Sequence, residues 1–363
     1  MEEVLKVKRN LCLILCILFF IVGCSKNKVN SSTPMVPSTE CRTEVKGLVL
    51  KYVLIDTAYE IYQVNAQKID VFSEQEYASI GKDTHDHYLW LIDTYEQFDE
   101  EMKIELHAIF ESIHPWALMN QTTPLKDHAN VEEIIGCLHG SNQLRLNKKL
   151  KKSISTFFPY FYYGFLQDYL EINQETFDQY AEEINQQLNQ HNANIIEFME
   201  KISGLKFKTR YKPIFYYTLR PIGAMGFNNG NKKISTLQRT CRDDAILFST
   251  PFHEFSHELF QQFTKSKEFK NIGKQLKQIE TFEADWINGM QDSYSWLAWC
   301  EENLVEGFAK YLRYKYYGTS SIEGIYTYDE DFFNYLKDLN FDASDQSLKE
   351  ASILFYTKII EEQ

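Results

Sequence analysis

The length, composition and charge of this chain exclude several classes of protein. Its 363 residues are 44% hydrophobic and 15% aromatic, which is enough apolar material for a full core and rules out a disordered chain. A formal net charge of −13 disfavours nucleic acid as a partner, because neutralising phosphates needs clustered Lys and Arg. The composition indicates a globular protein whose function must be sought in local motifs.

Residues 1–24 have the pattern of a secretory signal. A basic start up to Arg9 precedes the apolar run Leu11–Ile21, which is too short for an ordinary membrane-spanning helix. The run ends in Ile21-Val22-Gly23-Cys24, which resembles a bacterial lipobox, with an uncleaved anchor helix as the alternative. The resemblance implies that Cys24 is lipidated and anchors the protein in the bacterial cell envelope. Since Ser25 and not an aspartate follows, the outer membrane is favoured in a Gram-negative cell.

Three further regions are predicted along the chain. Residues 25–40 are rich in Ser, Thr and Pro and form a disordered tether, residues 41–205 are mostly helical, and residues 206–363 form the catalytic region. The basic run Arg145–Lys152 is interpreted as a solvated helix face, and the aromatic run Phe157–Phe165 as the buried start of a helix. Long helices are predicted over Tyr95–Ile113 and Glu175–Lys201, with breaks at Pro115, Pro124, Pro159 and Gly204.

Short apolar runs follow from about residue 206. Strands are predicted over Ile214–Leu219, Lys233–Leu237 and Ala245–Thr250, with a turn at Asn228-Asn229-Gly230. The predicted fold class is therefore α+β: mostly helical, with a small antiparallel sheet packed against the helix that comes next.

That next helix carries the strongest functional signal, two histidines four residues apart. In His253-Glu254-Phe255-Ser256-His257, both imidazoles lie on one helix face and can bind one zinc ion. Glu254 is rotated by about 100° from His253 and can take a proton from a zinc-activated water that attacks a carbonyl carbon. The alternative is a surface helix whose histidines contact only water. The motif predicts hydrolysis of a peptide or similar amide.

A third ligand is expected from another element, because a catalytic zinc has three protein ligands and one open position. Glu306-Gly307-Phe308-Ala309-Lys310-Tyr311 resembles the Glu-Gly-Phe-Ala-x-Tyr segment of the aminopeptidase N family, which belongs to the gluzincins. In that family the glutamate is the third ligand. The resemblance implies that His253, His257 and Glu306 bind one Zn2+ per chain, with Glu254 as the general base.

Two neighbouring carboxylates compete with Glu306. Glu302 lies four residues earlier, on the same helix face. This spacing of two glutamates resembles that of thermolysin-like enzymes, which implies that Glu302 is the zinc ligand and that Glu306 orients a ligand histidine. Glu301 lies nearer the middle of the apolar stripe, so periodicity does not choose among the three. Glu306 is the first choice, Glu302 the alternative, and Glu301 or none the remainder.

The resemblance to the aminopeptidase N family has departures. Gly223-Ala224-Met225 resembles a segment upstream of the histidines in that family, but Gly226 stands where the family has the glutamate that holds the substrate's amino terminus. An endopeptidase is therefore as strong an interpretation as an aminopeptidase. The interval from 258 to 305 is also longer than in the family. The segment from Gly223 to Asn229 is a candidate for the edge strand that pairs with substrate in gluzincins.

Other residues have open roles. Tyr326 or Tyr328 is a candidate for the hydroxyl that stabilises the oxyanion of the transition state. Beyond Cys24, four cysteines permit two disulfides in an oxidising compartment: Cys41, Cys137, Cys241 and Cys300.

The sequence thus predicts a membrane-anchored zinc metallopeptidase acting on peptides or proteins. The alternative is a non-catalytic lipoprotein that binds a peptide or a metal on a peptidase-like scaffold, and a purely structural envelope lipoprotein is a third hypothesis. Glu254 favours the enzyme, because a site that only binds metal has no need of a carboxylate beside a ligand histidine.

Overall fold

The chain folds into two compact units. A computed structural model describes residues 43–66, 81–191, 194–221, 224–242, 249–291, 294–318 and 324–362. The sheet unit comprises residues 44–187 and 213–242, and the histidine unit comprises 188–212 and 243–363. These units divide the chain differently from the predicted regions 41–205 and 206–363, because residues 213–242 cluster with the helices that precede residue 188.

The sheet unit is mostly helical. Its helices are α1 (Leu50–Ile61), α2 (Lys82–Gln97), α3 (Glu100–Phe110), α4 (Pro115–Thr122), α5 (Val131–Gly140), α6 (Lys148–Phe161) and most of α7 (Gln167–His191). Single π-helical turns follow α1 over Tyr62–Ala66 and α6 over Tyr162–Leu166. Helix α1 is buried on nearly all sides, and its Tyr52 ring stacks on Phe227 at 5.6 Å between ring centroids.

The four strands form one mixed sheet. They are β1 (Glu44–Lys46), β2 (Lys212–Tyr217), β3 (Gly226–Asn229) and β4 (Lys232–Leu237), in the order β1-β2-β4-β3. Strand β3 pairs antiparallel with β4, whereas β1 pairs parallel with β2, Val45 lying opposite Phe215. The sequence predicted an antiparallel sheet, and this prediction is wrong for β1, which is parallel to β2. The helices between β1 and β2 form the long crossover connection that a parallel pair needs.

Two strand predictions and the turn are confirmed, and most of the third predicted strand, Ala245–Thr250, lies outside the described residues. Gly230 has φ +60° between β3 and β4, which glycine tolerates because it has no Cβ. Strand β3 lies at the sheet edge, in the segment expected to form an edge strand, although Gly223 lies outside the described residues. Of Ala245–Thr250, residues 245–248 are not described, and Ser249 and Thr250 begin a helix.

The histidine unit is built around one long helix. Its elements are α8 (Ile195–Ser203), α9 (Ser249–Phe260), α10 (Lys267–Leu276), α11 (Glu280–Asp285), a π-helical turn (Trp286–Met290), α12 (Trp296–Tyr317), α13 (Asp329–Asp338) and α14 (Leu348–Glu361). Helix α12 packs against α9, α10 and α13. Phe260 and Phe308 meet in this core with ring centroids 5.7 Å apart, and both are fully buried.

Three local predictions about helices were wrong. The helix predicted over Tyr95–Ile113 breaks at Asp99, whose side chain accepts from the N–H of Met102 and caps α3. The helix predicted over Glu175–Lys201 is also two helices, and Asn194 caps the second by accepting from the N–H of Glu197. Pro159 lies inside α6, and the irregular π-helical turn follows it. The predicted break at Gly204 is confirmed, since its φ of +67° ends α8.

Two further observations concern disulfides and membrane spans. No disulfide joins any pair among Cys137, Cys241 and Cys300, so the two disulfides allowed by the sequence do not both form. Cys41 lies outside the described residues. Within the described ranges, no helix combines the length and apolar character needed to cross a bilayer.

Candidate functional site

Helix α9 presents both histidines on one face, as their spacing predicts. The imidazoles of His253 and His257 have centroids 5.1 Å apart and planes at 79° to each other. Their side chains are 19% and 22% exposed, whereas Phe252 and Leu259, which point to a different face of the helix, are fully buried. The buried face fixes the rotation of α9, so the two imidazoles are held at the partly open face.

Helix α12 brings three carboxylates to the same place. Ser295 caps the helix by accepting from the N–H of Ala298, and Gly318 ends it with φ +72°. Glu301, Glu302 and Glu306 are at most 14% exposed in their side chains. Burying three carboxylates is costly unless cations or hydrogen-bond donors face them, so this cluster requires partners.

Glu302 faces the Nε2 atoms of both histidines. Its Oε2 lies 3.3 Å from Nε2 of His253, and its Oε1 lies 3.5 Å from Nε2 of His257. Ligand atoms of these three residues all lie within 4.8 Å of one another. Two imidazole nitrogens and one carboxylate form a donor set that zinc accepts.

The buried oxygen of Glu302 fits such an ion. Oε2 is inaccessible to solvent and has no hydrogen bond of acceptable geometry, despite its 3.3 Å approach to His253. An orphaned carboxylate oxygen is unfavourable unless a cation completes its surroundings. His253, His257 and Glu302 therefore suit one zinc ion.

The other two carboxylates hold the opposite ring nitrogens. Glu306 Oε2 lies 2.7 Å from Nδ1 of His253, and Glu301 Oε1 lies 3.0 Å from Nδ1 of His257. Each carboxylate can accept a hydrogen bond from a protonated Nδ1, which leaves the unprotonated Nε2 free to bind a metal ion. The geometry groups Glu302 with the two histidines as residues that could hold a metal ion, whereas Glu306, the first choice from sequence, contacts Nδ1 of His253.

Charge within the cluster shifts two pKa values. Burial lowers the pKa of His253, but Glu302 and Glu306 outweigh burial and raise it well above its ordinary value. Burial raises the pKa of Glu306, but the hydrogen bond and charge of His253, with smaller effects from Lys310 and Arg313, bring it below its ordinary value. Both shifts show that the cluster attracts positive charge.

Sequence reasoning missed the residues that support Glu301. Thr264 donates a hydrogen bond of 2.5 Å to Oε2 of Glu301, and Gln261 donates one of 3.4 Å to its Oε1. Gln261 and Thr264 lie in the turn that follows α9, four and seven residues after His257, so helical periodicity within α9 does not identify them. They hold the carboxylate that orients His257.

Glu254 is exposed, whereas the two candidate tyrosines are packed against other aromatic residues. Glu254 follows His253 directly on α9. The Tyr328 ring packs on Phe282 at 4.7 Å between centroids. The Tyr326 ring packs edge-on against Trp299 at 5.2 Å, one helical turn before Glu302. These contacts do not connect either tyrosine with the histidines.

A second buried charge pair lies one turn beyond Glu306. Lys310 Nζ donates to Asp329 Oδ2 at 2.7 Å, and both side chains are almost fully buried. The same Asp329 oxygen accepts from the backbone N–H groups of Ile325 and Tyr326. The pair thus fastens the loop before α13 to α12.

Cys24, the predicted lipidation site, lies outside the described residues. Comparison with protein-family models, with curated proteins and with solved structures gave no match.

Proposed function

We propose that this protein is a zinc-dependent metallopeptidase that hydrolyses peptide bonds. The observation that carries the proposal is the convergence of Nε2 of His253, Nε2 of His257 and the Glu302 carboxylate, with ligand atoms within 4.8 Å of one another. A zinc ion held by these groups would polarise a carbonyl and make water a stronger nucleophile near neutral pH.

Each residue of the cluster has a distinct proposed role. His253, His257 and Glu302 are the ligands. Glu306 and Glu301 hold Nδ1 of the two histidines at 2.7 and 3.0 Å, which keeps the imidazoles in the tautomer and orientation that ligation needs.

Glu254 is the proposed general base. It adjoins a ligand histidine but is exposed, so its carboxylate is accessible to water and to an incoming substrate. It would accept a proton from the attacking water and pass it to the leaving amine. A carboxylate whose only task was ligation would be expected within the buried cluster.

The arrangement supports the gluzincin resemblance in its thermolysin-like register. There a downstream glutamate is the third ligand and the carboxylate four residues later orients a histidine. Glu302 and Glu306 have this spacing and these contacts. We propose this register over the one in which Glu306 is the ligand, together with gluzincin-like packing around α9.

We also propose that the protein is held in the bacterial cell envelope through a lipid on Cys24. The basic start, the short apolar run and the lipobox-like ending support it. A lipid anchor would keep the catalytic unit at a membrane surface, where its substrates would be exported or external peptides and proteins.

Zinc content and turnover, measured together on the full-length protein, test the proposal. We expect about one zinc per chain after dialysis and hydrolysis of a mixed peptide library at internal bonds, both lost in Glu302→Ala. Glu280→Ala, at an exposed position on α11, is the matched control and retains both. Zinc binding without hydrolysis of any peptide would favour the non-catalytic binding protein, and absence of zinc under zinc-replete conditions would refute the metal site.

A further inference from the structure

Exposed positive charge is concentrated at the start of α6. Arg145, Lys148, Lys149 and Lys152 are all exposed and are called here the basic patch. No ion pair joins any of these four residues to another part of the chain that the structure describes. The neighbouring Lys151 differs, because its Nζ donates to the carbonyl of His139 at 2.7 Å.

The sequence around the basic patch lacks acidic residues altogether. No Asp or Glu occurs between Glu133 and Asp168, although 51 of the 363 residues are acidic. Against a net charge of −13, this segment carries five Lys and Arg and no compensating carboxylate of its own. This segment of the chain is therefore positively charged on a protein that is negative as a whole.

The basic patch lies at the amino-terminal end of α6, where its charges destabilise the helix. Asn147 caps the helix by accepting from the N–H of Leu150, and no acidic residue lies in the first turn. Cations at a helix amino terminus are repelled by the helix dipole, and Lys148 and Lys152 also repel each other across one turn. A cluster that weakens its own helix is expected where an anionic partner offsets the repulsion.

The adjoining helix α3 exposes an apolar side chain, and two of the carboxylates near it are already paired. Helix α3 packs against α6 and exposes 65% of Ile104. The carboxylates of Glu100 and Glu111 contact bases on their own helix, Lys103 at 2.9 Å and His107 at 3.4 Å. Exposed apolar side chains beside unpaired cations are typical of surfaces that contact lipid headgroups.

We propose that the basic patch docks the sheet unit on anionic lipid headgroups. The inference goes beyond the proposed peptidase, since it concerns a surface on the other unit. Phosphate groups of the bilayer would receive the four cations, and Ile104 would enter the interfacial region. A lipid on Cys24 would supply the first membrane contact and the patch a second, salt-dependent one.

Lysine acetylation of the full-length protein, anchored in vesicles, tests the docking. We compare neutral phosphatidylcholine vesicles with vesicles containing about one-third phosphatidylglycerol. The expected result is modification of Lys148, Lys149 and Lys152 that is roughly threefold slower or more on anionic vesicles, reversed by high salt. The exposed lysines of α10, Lys267, Lys270 and Lys274, should react equally on both. Equal rates at the patch on both vesicles would overturn the proposal.

A charge-matched pair of variants separates the patch from net charge. Protein anchored in neutral vesicles should capture added anionic vesicles, and replacing Lys148, Lys149 and Lys152 by Gln should abolish capture. The same replacement at Lys267, Lys270 and Lys274 removes equal charge and should leave capture intact. Equal loss in both variants, or capture of nucleic acid in place of vesicles, would contradict a lipid-docking patch. Peptide hydrolysis, assayed without membranes, should be unchanged in both variants, so the two proposals fail separately.

Discussion

Glu306 lies 2.7 Å from Nδ1 of His253, on the side of the imidazole opposite the nitrogen that faces Glu302. A carboxylate in this position fixes which ring nitrogen carries the proton. In the proposed site Glu306 therefore orients His253 and Glu302 binds the metal, although both are glutamates on the same face of α12.

Replacing these two glutamates should have unequal effects on zinc affinity. Glu302→Ala removes a proposed ligand, and we expect the zinc dissociation constant to rise at least about 100-fold. Glu306→Ala leaves the three ligands in place but frees His253 to rotate, so a rise of about 10- to 100-fold is expected. Competition with a chromophoric chelator measures both, with Glu280→Ala as the control. A larger loss in Glu306→Ala than in Glu302→Ala would reverse the assignment.

Glu254→Gln should separate metal binding from turnover. The amide cannot accept a proton, so kcat should fall by about 100- to 10,000-fold. Zinc content should not change, because the residue lies outside the buried ligand cluster. Steady-state hydrolysis and metal analysis of the same preparation provide the check. Full activity in this variant would remove Glu254 from the mechanism.

Asp329→Asn should strongly destabilise the histidine unit. The change removes the negative charge 2.7 Å from Lys310 while that ammonium stays buried. Breaking a buried pair from one side typically costs about 3–5 kcal/mol in the free energy of unfolding. Urea denaturation followed by circular dichroism measures the loss. Glu330→Gln, at the exposed neighbouring position, should change stability by less than about 0.5 kcal/mol.

The sheet unit should show an acid-dependent contribution from Asp127. This carboxylate contacts Lys46 at 2.6 Å and the buried Lys51 at 2.9 Å. Burial raises the pKa of Asp127, but its hydrogen bonds with the two lysines and their charges lower it to about 2. Because the folded pKa is below the unfolded value of about 3.9, the stabilisation is present above pH 4 and is lost as the pH falls towards 2.

We therefore expect Asp127→Asn to lower the free energy of unfolding at pH 7 and to match the wild type near pH 2. Urea denaturation across this range measures the difference. Asp93→Asn, at an exposed position on α2, should give a difference that does not change with pH. If the difference in free energy of unfolding between Asp127→Asn and the wild type did not change with pH, the lost contacts would not be ionic.

The sequence predicted the part of the candidate site that lies on a single helix, α9. The spacing of His253 and His257 defines a shared face without any knowledge of neighbouring elements. The choice between Glu302 and Glu306 depends on how α12 is translated and rotated against α9. Both residues lie on one face at i and i+4, so the sequence of α12 alone carries no information about that choice.

The same limit applies to the fold. Strands β2 and β4 were found because their apolar runs are local signals. Strand β1 was missed because it has three residues and its partner β2 begins at Lys212, far along the chain. The break before α3 depends on the single cap at Asp99, which the continuous apolar pattern conceals.

Neither compact unit is a continuous stretch of sequence. The chain leaves the sheet unit after residue 187, returns to it at residue 213 and leaves it again after residue 242. One uninterrupted gene fragment therefore cannot encode the histidine unit, with its own α8, free of the strands β2, β3 and β4. A fragment from residue 243 onwards would carry His253, His257 and the three glutamates of α12 but would lack α8, so transfer of the complete histidine unit requires β2, β3 and β4 as well.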